Sequence, residues 1–129
     1  MPQGFRYVFL LHMIVFGVAG LLLLIIPGRV TPWVNWETGA PVTSRLLGAM
    51  LVALAWGSLR GLLAREWREV SFVVEMEALA SLLACAGLLR HLILPGRWAL
   101  TAWVVLVVLA LFAIAFLVMF VLGRMAARR

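Results

Sequence analysis

Lysine and aspartate are missing altogether from this 129-residue chain, and cysteine occurs once, at Cys85. A single cysteine excludes an internal disulfide, a CxxC redox pair and a cysteine-rich metal site. Charge is scarce as a whole. Charged residues make up 12% of the chain and hydrophobic ones 66%, far from the balance of a soluble domain. The chain also lacks a P-loop, an HExxH motif and any nucleophile–His–acid order, so a non-catalytic role without a cofactor or a metal is expected.

What the chain has is four long apolar stretches, at about Phe5–Ile26, Leu46–Leu63, Val70–Leu94 and Trp98–Leu122. Each exceeds the roughly 17 residues that a helix needs to cross a bilayer. Backbone groups inside lipid must find their partners within the segment. The reading is therefore all-α: a polytopic membrane protein whose four transmembrane helices form one antiparallel bundle over residues 1–129. The first stretch is too long for a signal peptide and no A-x-A site follows it, so it reads as an uncleaved span.

A net charge of +6 would raise the question of nucleic acid in a soluble protein. Here the arginines sit at helix ends, where they meet lipid phosphates instead. With both termini on one side, that side carries Arg6, Arg60, Arg65, Arg68, Arg124, Arg128 and Arg129, against Arg29, Arg45, Arg90 and Arg97 opposite. The positive-inside rule then puts both ends in the cytoplasm. The exclusive use of arginine fits the codon bias of a GC-rich bacterial genome, so the expected location is a bacterial inner membrane. Trp67 marks the inner interface and Trp33, Trp36 and Trp98 the outer one, as an aromatic belt. The longest connection, Pro27–Ser44, is expected to lie as a loop on the outer surface.

Association of helices in lipid relies on small residues that let backbones approach. The second span carries Ala49, Ala53, Gly57 and Gly61 at strict four-residue spacing. The third has Ala80, Ala84 and Gly87, with Ser81 and Cys85 alongside, and the first has Gly17 and Gly20. By contrast the fourth span is bulky all round, so it is expected to face lipid or another subunit. Its Trp103, Phe112, Phe116 and Phe120 would fill grooves in a neighbour or contact acyl chains.

Ionisable groups inside a span are expensive and therefore candidates for function. Arg90 and His91 lie close enough to a helix end to reach the interface. Glu75 and Glu77 point about 200° apart on a helix and cannot share a site. Glu77 should face the bundle, and Glu75 should pair with Arg68 or with Arg60. Counting inward at 1.5 Å per residue puts His12, Glu77 and Trp56 in one layer, about 10 Å below the inner surface. A His–Glu pair there would relay protons, hold a cation or bind the polar head of a quinone, or it would simply lock the helices together.

The segment Pro41–Val70, with Arg45–Leu46–Leu47–Gly48–Ala49 entering the second helix and Glu66–Trp67–Arg68–Glu69–Val70 opening the third, resembles a pattern in uncharacterised bacterial four-helix membrane proteins of DoxX-like size and layout. That resemblance covers about a quarter of the chain. It implies a four-span layout, with an association to quinone-linked electron transfer, and it carries over no site residues. Two functions are expected to lead, ahead of an enzyme subunit that binds quinone near the inner-leaflet layer. One is an accessory subunit that docks on other membrane subunits of a larger respiratory or photosynthetic complex. The other is a small homo-oligomeric transporter or channel that uses Glu77 and His12.

Overall fold

A computed structural model describes residues 3–34, 41–93 and 100–127. Within them run α1 (Gln3–Ile25), α2 (Pro27–Val34), α3 (Pro41–Leu63), α4 (Trp67–Ile93) and α5 (Leu100–Ala127). Four of the five, all but α2, are long and apolar enough to cross a membrane. The protein is a multi-pass, all-α membrane protein built on a four-helix bundle.

Local sequence explains where the helices begin and end. Proline opens both α2 and α3, at a position where its missing N–H is no loss. Glu69 caps α4: its carboxylate accepts from the backbone N–H of Arg65 at 2.9 Å and of Glu66 at 3.5 Å. Reaching back in this way satisfies donors that the first helical turn leaves open. The connection between α3 and α4 is therefore only residues 64–66, because residues 67–69 are already helical. The outer loop expected over Pro27–Ser44 is also partly helical, since α2 and the first turn of α3 lie within it.

The closest pairings are α1 with α3 and α4 with α5, while α1–α5 and α3–α4 touch over shorter stretches. The α1–α3 seam is a backbone contact. A Cβ on Gly48 would lie 2.6 Å from the Leu24 nitrogen and 2.7 Å from the Gly20 carbonyl oxygen, and one on Gly20 would meet the Gly48 oxygen at 2.8 Å. Gly17 sits opposite Ala55 in ordinary contact, and Gly61 gives room to the Phe9 ring. Thus Gly17, Gly20 and Gly61 do line packed surfaces.

Other members of the expected small ridges do not. Ala49 and Ala53 are exposed, as are Ala84 and Gly87, and Ala80 is only half-buried. Geometry accounts for this. At 100° per residue a strict four-residue ridge advances by about 40° per step, so a line that faces inward at Gly61 has turned outward by Ala53. The buried positions follow mixed three- and four-residue steps instead: Phe5, Phe9, His12, Phe16 and Gly20 on α1, and Val70, Val74, Glu77 and Ser81 on α4.

α5 corrects the expectation of a helix turned wholly outward. Its Ala102, Phe112, Ala113, Phe116, Met119 and Gly123 are buried, and Phe112 and Phe116 belong to the core with Phe5, Phe9 and Phe16. Trp103 remains exposed and Phe120 is half-buried. At the end nearest the α3–α4 turn, the Trp67 indole lies against Gly123 and tilts onto Phe5 with ring centroids 6.2 Å apart. Trp67 is therefore a packing residue as well as an interfacial one. Trp36 and Trp98, and the side chains of Trp33 and His91, lie outside the described residues.

Candidate functional site

Three helices each send one polar side chain to the same point. His12 from α1, Ser58 from α3 and Glu77 from α4 are all fully buried. His12 Nδ1 lies 2.8 Å from Ser58 Oγ. The Ser58 hydroxyl donates to Glu77 Oε1 at 3.3 Å, and Glu77 Oε2 lies 3.6 Å from His12 Nε2. The three residues close a triangle across the seam between the two helix pairs.

α5 supplies the wall. The His12 ring stacks on Phe16 with centroids 3.9 Å apart, and meets the edges of Phe112 at 4.7 Å and Phe116 at 5.1 Å. Phe9 packs on Phe116 below it. Gly57 leaves space beside Glu77, where a Cβ would come within 3.4 Å of Oε1.

With the Ser58 proton turned to Glu77, the Ser58 oxygen accepts from His12, and the tautomer that matches these bonds carries its proton on Nδ1. Nε2 and Oε2 then face each other, and neither has another hydrogen-bond partner. One proton shared between these two atoms makes the triad net neutral, whether it rests on the ring or on the carboxyl. Its removal would set two lone pairs against each other inside an apolar shell, an arrangement that costs energy. The site thus has a place for one proton.

Of the residues singled out by depth, His12 and Glu77 meet, and Trp56 does not join them. The Trp56 side chain is 64% exposed on the outside of α3. The α3 member is Ser58, two residues on. Its only signal in the sequence is a hydroxyl in an apolar span within about 3 Å of the same height. Glu75 pairs with neither Arg68 nor Arg60. Instead it meets Arg124 of α5 at 3.0 Å, and that guanidinium also lies over the Phe120 ring at 4.3 Å. Glu75 faces α5, the close partner of α4, while Arg68 lies on the same side of α4 but two turns, about 10 Å, away along the axis.

Clefts among the described residues flank the bundle. One, of about 310 Å³ between α1 and α5, is lined by Val8, Leu11, Val15, Val108, Leu111 and Phe112, and the Phe112 ring also meets His12. Another, of about 340 Å³, lies between the Trp67 end of α4 and the end of α5. Among the described residues no group of three His, Cys, Asp or Glu side chains is placed to hold a metal. Comparison with protein-family models, curated proteins and solved structures found no match.

Proposed function

We propose that this protein is a non-catalytic integral membrane subunit that docks on a larger membrane complex, with both termini on the cytoplasmic side of a bacterial inner membrane. The observation that supports this reading is the closed triad. His12, Ser58 and Glu77, one from each of three helices, join through the Ser58 hydroxyl at zero exposure, so they cross-link helices rather than meet a substrate. Large side chains such as Trp56, Phe72 and Trp103 stand outward on α3, α4 and α5, available to lipid and to neighbouring helices. The test is purification from native membranes in mild detergent, followed by mass spectrometry of what elutes with the chain. Stoichiometric recovery with a larger assembly is expected, and a monodisperse lone protein would count against it.

A second reading is favoured by a specific feature, the 3.6 Å approach of His12 Nε2 to Glu77 Oε2 with no other partner for either atom. A single shared proton site in the core suits a small oligomeric proton-coupled transporter. That reading expects pH-dependent flux in liposomes which Glu77→Gln abolishes. Unchanged flux in the variant would end it.

A further inference from the structure

We infer that the cleft between the ends of α4 and α5 is a binding site for the phosphate group of an anionic lipid. The site is separate from the triad. Arg68 and Trp67 line it from the first turn of α4, and Arg124 and Ala127 from the end of α5, with Glu75 and Phe120 deeper in. Its volume, about 340 Å³, suits a headgroup.

Charge and position both favour that ligand. Two guanidiniums from adjacent helices face one carboxylate, and that carboxylate is already held by Arg124. A guanidinium has five N–H donors, so Arg124 keeps donors beyond the one turned to Glu75. Arg68 is exposed and has no acidic partner among the described residues. The site therefore carries one uncompensated positive charge at least, on a fork that matches phosphate oxygens.

Both arginines lie in the terminal turns of membrane-spanning helices, the level at which lipid phosphates run. Basic pockets between helix ends are the usual sites for anionic headgroups. Phe120 and Trp67 add an aromatic wall that suits the glycerol and the first methylenes rather than a bare ion. Phe120 also fixes Arg124 by stacking beneath it at 4.3 Å.

The test uses the full chain in nanodiscs of phosphatidylcholine doped with phosphatidylglycerol, with lipid retention read by native mass spectrometry. Selective retention of phosphatidylglycerol is expected. Arg68→Gln should weaken it about fivefold, the factor for one basic residue near an anionic surface. Ala127→Trp keeps every charge but fills the cleft, and should weaken retention at least as much. Arg6→Gln removes a charge from α1, outside the cleft, and should leave the retained lipid in place.

Equal losses in the Arg68 and Arg6 variants would reduce the effect to diffuse charge and overturn the site, as would full retention in Ala127→Trp. Inorganic phosphate added as a competitor distinguishes the sources. Displacement of the lipid would assign the site to the free anion. Persistence, the expected result, assigns it to the lipid headgroup with its glycerol.

Discussion

With Ser58 replaced by alanine, the His12 Nδ1–H loses its acceptor and Glu77 Oε1 loses its donor, both at zero exposure. Orphaned groups of this kind are destabilising, and polar contacts between helices in membranes are modest, so the expected loss is about 1–2 kcal/mol. Unfolding of the detergent-solubilised protein by SDS would measure it, and an unchanged midpoint would show that the triad carries no stability. Glu77→Gln should behave differently. Its amide oxygen can still accept from Ser58 while its nitrogen donates to His12 Nε2, so stability should stay within about 1 kcal/mol of the parent. His12 and Glu77 were legible from counting because α1 and α4 run inward from the same end of the bundle. Ser58 was not, because counting fixes height and leaves azimuth open. Trp56 and Ser58 differ by about 3 Å in height but by about 200° around the helix.

Each long helix owes its existence to composition, and its facing to a few residues. α1 and α3 touch through backbone at Gly20 and Gly48, so Gly48→Leu should force them apart and cost about 1–3 kcal/mol, the range for overpacking. Ala53→Leu and Gly87→Leu lie on open surface and should stay within about 0.5 kcal/mol. The same SDS titration ranks all three, and a costly Ala53→Leu beside a tolerated Gly48→Leu would reverse the assignment of the α3 face. Four spans could be read from four apolar runs, because length and hydropathy are one-dimensional properties. Which side of α3 faces α1 could not, since the conspicuous ridge at Ala49, Ala53, Gly57 and Gly61 winds around the helix. On α5 the pattern was harder still. Inward Phe116 and outward Leu117 are equally apolar, so composition gives no sign of which side meets the core.

Two close helix pairs, α1–α3 and α4–α5, form the bundle, and the triad is the polar link between them. Even span number puts both chain ends on one side, so reporter fusions at the two ends should give the same signal. Opposite signals would remove the four-span topology altogether. The triad then allows structure and activity to be separated at the scale of the whole molecule. His12→Leu or Glu77→Met alone strands a buried polar partner, and each should cost about 1–2 kcal/mol. Together they replace the pair by apolar side chains of similar size, a change that is often neutral for a buried ion pair, and the Ser58 hydroxyl can turn to a backbone carbonyl one turn earlier on α3. The double variant should therefore regain most of the stability lost by either single one, giving a coupling of about 2–3 kcal/mol. Additive losses would mean that His12 and Glu77 do not act on each other. A double variant that folds and still assembles with its complex makes the triad a lock, as the accessory-subunit reading requires. One that folds, reaches the membrane and loses proton flux makes the shared proton the purpose of the bundle.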